Sequence, residues 1–454
     1  MAHRTDSAES LCAHRGAILH FRSDPGSHDD PGSFEFLDDG LLVTAHGQIA
    51  SIGPASALLS GLPKDARLVE HGDSILMPGF VDAHIHYPQT DIIGAGGRQL
   101  LDWLEDYTYP TEGEFADPVH AREVAEFFLD ELLRNGTTTA LVFCSVHATS
   151  VQAFFQAAAA RRLRMAAGKA LMDRNCPEYL RDTPEVGERD SRELLEAWHG
   201  RERLLYAITP RFAPTSSEAQ LASVGRLARD YPDALIQTHV AENLDEVAWV
   251  KRLFPQARSY LDVYDGYGLL RERAIYAHCI HLDQNDRVRM ARSGASAAFC
   301  PTSNLRLGSG LFDVTAADAA GMRFSVATDV AGGTSFSMLQ TLGDAYKVAQ
   351  LSRQHLSPLR AFYLATLGGA RALGIDDRIG HFAVGMEADF IVLDLRASAL
   401  IARRMARSRT LTEKLLVLIT LGDDRAVSRT YVLGREVHTA AATYSGSAAP
   451  RLTV

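Results

Sequence analysis

From Val81 to Val330 the chain alternates short apolar runs with amphipathic stretches. The runs are VDAHIH at 81–86, TTTALVFCSV at 137–146, RMAAGKALMD at 164–173, RLLYAITPRF at 203–212, ALIQTHVAE at 234–242, AIYAHCIHL at 274–282, ASAAFCPTSN at 295–304 and MRFSVATDV at 322–330. Continuous rather than alternating apolarity marks strands covered on both faces, as in a parallel sheet. The stretches between them read as helices. In 120–135 the residues Val124, Phe127, Phe128, Leu132 and Leu133 are expected on one stripe, with Gly136 closing the helix. Eight strand–helix units over roughly 300 residues match a (β/α)₈ barrel of the TIM type, which takes about 250 before insertions. A doubly wound open sheet is the alternative, but no G-x-G-x-x-G follows the first strand.

The flanks read differently. GAILHFRS at 16–23 and GLLVTAHGQIASIG at 40–53 are short β segments, the second folded back at Gly47. GMEADFIVLDL at 385–395 and SRTYVLGREVHTA at 428–440 repeat the style near the other end, separated by a Leu-rich stretch in which LLVLITL (415–421) suits a buried strand or helix. The expected organisation is therefore an α/β barrel over 78–381, with residues 1–77 and 382–454 joining into one small β-sandwich-like domain.

Composition narrows the function. The 454 residues are 46% hydrophobic and 22% charged, an ordinary globular balance, and a net charge of −10 opposes binding to nucleic acid polymers. Five cysteines, odd in number and never C-x-x-C, indicate neither a disulfide framework nor a thiolate zinc site, which fits a reducing cytoplasm. The start MAHRTDSAES lacks the apolar core of a secretory signal, and no apolar run reaches the ~18 residues of a membrane span. The tail 440–454 is small and polar enough to be expected without fixed structure. The unusual feature is 17 histidines, histidine being the commonest metal ligand. Those at 3, 14, 20 and 28 lie in a polar region and are expected to be solvated.

In a barrel, chemistry gathers where the strands end. The run ends carry His84 and His86, Arg211, His239, His278 and Asp329. His84 and His86, two apart on a strand, share a face and can converge on one ion. One H-x-H is commonly just a pair of core or surface histidines. Four imidazoles and a carboxylate at four strand ends of one barrel are much harder to obtain by accident. Three nitrogens, one carboxylate oxygen and an open position make a catalytic zinc or iron site, not a closed structural one. Glu242, three residues beyond His239, can serve as a proton shuttle, a role compatible with the plainer one of an acidic residue at a helix N-terminus. A carbamylated Lys169 could bridge two metals, but its run offers no other ligand, so one metal is expected.

The segment MPGFVDAHIHYPQTD at 77–91, with LLDWLEDYTYPTE at 100–112, NGTTTA at 135–140, TPRF at 209–212, QTHVAEN at 237–243, CPTSN at 300–304 and ATDVAGG at 327–333, resembles the amidohydrolase superfamily and, within it, the guanine deaminase family. P-G-F-x-D-x-H-x-H marks only the superfamily; HYPQTD, the W-L-x-x-Y-T-x-P-T-E segment and TPRF narrow it to guanine. The resemblance implies one zinc per subunit held by His84, His86, His239 and Asp329. It implies Glu242, Asp329 and His278 as the catalytic set, His278 binding or orienting the attacking water. It further implies His86, Tyr87, Pro88, Gln89, Arg211, Phe212 and His239 around the base, and a homodimer. The implied reaction is hydrolysis of guanine to xanthine and ammonia. Without the resemblance, Arg211 reads as a structural ion pair, Phe212 as core and Gln89 as an exposed loop residue. Trp103, Tyr107 and Tyr109 are expected either over the site as a lid or buried against the barrel. His281 is a second imidazole in the sixth run; His278 is preferred because it ends the apolar stretch. The separate zinc deaminase solution, H-x-E with P-C-x-x-C, is excluded because no P-C-x-x-C exists here. The alternatives are a related enzyme acting on another purine, a pterin or a triazine, and a non-catalytic barrel scaffold.

Overall fold

The computed structural model describes residues 11–96 and 99–440. His3 and the tail from 441 onward lie outside the described residues. In chain order the strands are β1 (Cys12–Phe21), β2 (Phe34–Ala45), β3 (Gln48–Pro54), β4 (Arg67–Pro78), β5 (Phe80–His86), β6 (Thr137–Phe143), β7 (Arg164–Gly168), β8 (Ala170–Leu171), β9 (Leu205–Pro210) and β10 (Leu235–Val240). They continue as β11 (Ala274–His278), β12 (Ser296–Phe299), β13 (Arg323–Val326), β14 (Phe390–Asp394), β15 (Val427–Val432) and β16 (Arg435–Thr439).

All eight apolar runs are strands of one parallel sheet, β5-β6-β7-β9-β10-β11-β12-β13, with β8 pairing β9 as a continuation of the third run. The sheet nearly closes. Between its first and last strands the seam is made by backbone bonds from the Asp329 amide to the His84 carbonyl (3.0 Å) and from the His86 amide to the Val330 carbonyl (3.0 Å). Asp82, fully buried, staples the same seam: its carboxylate accepts from the backbone amides of His84 and Thr328 and from the Thr328 hydroxyl. Burial pushes its pKa up to about 7. Small residues from successive strands fill the interior, among them Ala83, Ala166, Ala207, Ala277, Ala298 and Ala327, and Leu373 and Ile379 pack beneath them. At Gly168 a Cβ would lie 1.7 Å from the Ala207 carbonyl oxygen, so only glycine lets β7 and β9 approach this closely.

The end segments form one continuous seven-stranded sheet, β16-β15-β14-β4-β1-β2-β3, so the sandwich-like expectation resolves into a single hydrogen-bonded path. The join between the two ends is antiparallel β4–β14. Gly47 sits at φ +79° in the two-residue reversal between β2 and β3, as the pattern predicts. LLVLITL is helical, within Leu411–Leu421. This sheet is tied to the barrel by a charge network: Glu387 accepts from Arg164 and Arg203, and Arg203 also reaches Asp389. His14 and His20 are buried, not solvated as expected; the first meets His71 on the sheet and the second Glu35.

The helix Pro118–Arg134 carries one correction. Val124, Phe128, Leu132 and Leu133 are buried, but Phe127 is 54% exposed. The buried face also takes Ala121, Ala125 and Leu129, and at 100° per residue that arc puts position 127 on its far side. Phe127→Gln is therefore expected to change unfolding free energy by no more than about 0.5 kcal/mol, read from denaturant melts.

Candidate active site

The site is built by a register irregularity. On β5, Val81 and Ala83 face the barrel interior, and an unbroken strand would send His84 and His86 outward with Asp82. The pairing with β6 slips between Asp82 and Ile85, where three residues of β5 span two of β6. Ile85 then joins the outer core, and His84 and His86 turn inward beside Phe143. His239 and His278 come from adjacent strands, and Asp329 from just beyond β13. His278 and Asp329 adopt φ of +72° and +52°, as does Ala241 beside Glu242 at +51°. Non-glycine residues held in this region cluster where side chains must be aimed against backbone preference.

The Nε2 atoms of His84 and His86 lie 3.2 Å apart, those of His86 and His239 3.2 Å, and Asp329 Oδ1 stands 3.2 Å from His84 and 3.5 Å from His86. A tetrahedron with arms of ~2.0–2.1 Å has edges of about 3.3 Å. His239 Nδ1 donates to the Arg211 carbonyl at 2.7 Å, which leaves its Nε2 as a lone pair facing the cluster. Burial, then the charge of Arg211, pushes His84 down to about 3, and burial holds His86, His239 and His278 well below the usual histidine range. Three imidazole nitrogens and a carboxylate oxygen at these spacings fit a metal ion. Cys300 Sγ also falls within reach of His84, His278 and Asp329, but burial raises its pKa well above the usual thiol value and it donates to the Ala298 carbonyl.

His278 stands slightly apart. Its Nε2 is 3.2 Å from Glu242 Oε2 and 3.9 Å from Asp329 Oδ2, while Asn304 holds its Nδ1. His281 turns away to the Ser309 carbonyl. Glu242 is fixed by the Ser309 hydroxyl at 3.0 Å. Burial first, then the carboxylates of Glu246 and Asp329, push its pKa well above the ordinary carboxylate value. Glu246 accepts from the backbone amides of Glu242 and Asn243 in a capping box that starts the helix Leu244–Leu253.

These groups open onto a cavity lined also by Gln89, Arg211, Phe212, Leu100, Trp103 and Leu104. Gln89 is buried, not an exposed loop residue. Trp103 is buried and lines the cavity; Tyr109 is buried under the Arg211 guanidinium, 5.6 Å from its ring centre, and Tyr107 faces solvent. Tyr87 is a correction: its ring is packed among Phe115, Phe128 and Phe154, and its hydroxyl donates to the Ser150 carbonyl, so its side chain points away from the cavity. Pro88 is buried in the turn after β5, outside the cavity lining. Lys169 is ion-paired with Asp182. Glu112 went unassigned in the sequence, although it closes the W-L-x-x-Y-T-x-P-T-E segment. It receives Gln89 Nε2 on Oε1 (3.0 Å) and Arg211 Nη1 on Oε2 (2.6 Å).

A barrel with converging histidines and an aspartate at its strand ends defines a metal-dependent hydrolase architecture, and the chain belongs to the amidohydrolase family, whose model matches residues 75–437. A guanine deaminase of Escherichia coli (strain K12) is 49% identical over 430 residues, covering 94% of this chain and 98% of that one. The solved E. coli guanine deaminase superposes with a TM-score of 0.92 over 94% of this chain and 99% of its own. A guanine deaminase from C. acetobutylicum, with bound guanine in its active site, is 28% identical with a TM-score of 0.85, covering 94% and 100%. An adenosine deaminase from Xanthomonas campestris with bound zinc is 25% identical with a TM-score of 0.82, covering 94% and 92%. Among the described residues no helix is long and apolar enough to cross a membrane.

Proposed function

We propose that the chain hydrolyses guanine to xanthine and ammonia, with one zinc ion per subunit held by His84, His86, His239 and Asp329. The observation that carries the reading is one cavity whose lining joins His86, His239, Asp329 and Glu242 to the Arg211 and Gln89 side chains. Zinc there supplies the Lewis acidity that makes a hydroxide nucleophile available near neutral pH.

The chain's own groups do the rest. Arg211 and Gln89 hold the polar edge of the base, and Phe212 packs on its ring. Asp329 takes one proton from the attacking water, which His278 orients. Glu242, whose pKa burial and the neighbouring carboxylates push upward, gives a proton to N3 as oxygen adds to C2, so no negative charge builds on the ring. The amino group then takes the proton from Asp329 and leaves as ammonia, the C2 carbonyl forms, and the hydroxyl proton returns to Glu242.

The test is a panel: guanine, adenine, a pterin and an aminated triazine with the zinc-loaded chain, followed by ammonia release. Guanine is expected to be preferred by at least about 100-fold over adenine, since sites built to hydrogen-bond a polar group reject analogues that leave it unpaired. Preference for a pterin or triazine would move the reading to a related deaminase, and no turnover at all would favour a scaffold. The proposal extends to the cytoplasm, supported by five free thiols. It also extends to a homodimer, an expectation from the family resemblance that light scattering reads directly.

A further inference from the structure

Behind the two side chains that hold the base, Arg211 and Gln89, stands a buried carboxylate that the reaction itself does not use. Glu112 is 1% exposed and lies outside the cavity lining, yet both its oxygens are committed to residues that do line it, Gln89 and Arg211. The pairing also fixes which way the Gln89 amide faces. Its nitrogen must meet the carboxylate, and its oxygen accepts from the Ala331 backbone amide at 3.3 Å; the reverse orientation would set oxygen against oxygen and N–H against N–H. Arg211 is held from a second side by the Tyr109 ring. Its fork can then move little, and it presents donors only.

We propose that Glu112 is a positioning residue that sets base specificity by locking Arg211 and Gln89 as donors toward a carbonyl-bearing edge, such as O6 and N7 of guanine. The inference rests on the guanine reading above. A guanidinium has no acceptor, so a base with an amino group at position 6 meets donor against donor, and a base with nothing there leaves buried guanidinium N–H groups without an acceptor. A bidentate contact of arginine to O6 and N7 is also the commonest specific contact by which guanine is read in the DNA major groove.

The test compares guanine with 2-aminopurine, which keeps the reacting C2–amino bond and N7 but lacks the 6-oxygen. In Glu112→Gln one acceptor of the pair is lost and the Arg211 charge is no longer matched. Its kcat/KM for guanine is expected to fall about 10- to 100-fold, chiefly through KM, while that for 2-aminopurine changes far less, so the ratio between the two substrates falls about tenfold or more. Zinc content and circular dichroism check folding. If that variant does not fold, Glu112→Asp keeps the charge but cannot reach both partners, and the same fall in the ratio is expected. Equal losses on both substrates, or an unchanged ratio in an enzyme whose wild type deaminates guanine, overturn the proposal. A wild type inert toward guanine overturns the underlying reading instead.

Discussion

Glu242→Gln is expected to keep its zinc and lose about 10²–10⁴-fold in kcat, the usual worth of a positioned acid–base group. The substitution is nearly isosteric. A glutamine can still accept from Ser309, and Glu242 stands outside the cluster of three Nε2 atoms that would hold the ion, so neither the cavity nor the donor set is disturbed. What disappears is the proton. Burial and two neighbouring carboxylates push the Glu242 pKa up, which suits a residue that must give a proton to the ring and take one back. Metal analysis beside the kinetics separates the roles: a variant that loses zinc together with activity would make Glu242 a ligand.

Stripping the metal has the second large effect. A chelator is expected to abolish turnover and lower the melting temperature, and added zinc to restore both. Ligand held at 1,000 times its Kd stabilises by about 4 kcal/mol. The metal-free chain should also become sensitive to acid. A histidine whose folded pKa lies below its unfolded value near 6.5 contributes stability that is fully present above that value and is lost as the pH falls toward the folded one. With His84 down at about 3, that residue alone costs about 1.4 kcal/mol for each pH unit below 6.5. Melts of the stripped chain at pH 7 and pH 5.5 check this; a melting temperature that does not fall would mean the imidazoles are not buried neutral.

Much of this was legible in the sequence because parallel barrel strands are covered on both faces and so stand out as apolar runs, each ending where chemistry must sit. The spacing of His84 and His86 said that they share a face, but not which one. That depended on the slip between β5 and β6, set by pairing rather than by local pattern. Glu112 and Asp82 escaped for a related reason. Arg211, one partner of Glu112, and Thr328, one partner of Asp82, stand 99 and 246 residues away, and a carboxylate beside an apolar run reads as solvated until its donors are known. One signal was available for Glu112: an acidic residue closing a segment otherwise rich in aromatic residues. Tyr87 belongs to the motif that carries the resemblance, but a motif does not say where a side chain points, and the turn after His86 sends its ring into the aromatic core. Phe127 failed on simple phase, being apolar but on the far side of its helix.

The central claim is that this barrel adds water to C2 of guanine. Turnover of guanine in ¹⁸O-labelled water, with the product read by mass spectrometry, addresses it most directly. The account predicts xanthine carrying one labelled oxygen at C2 and one ammonia per turnover; unlabelled product, label at another carbon, or guanine recovered unchanged from the zinc-loaded enzyme would contradict it.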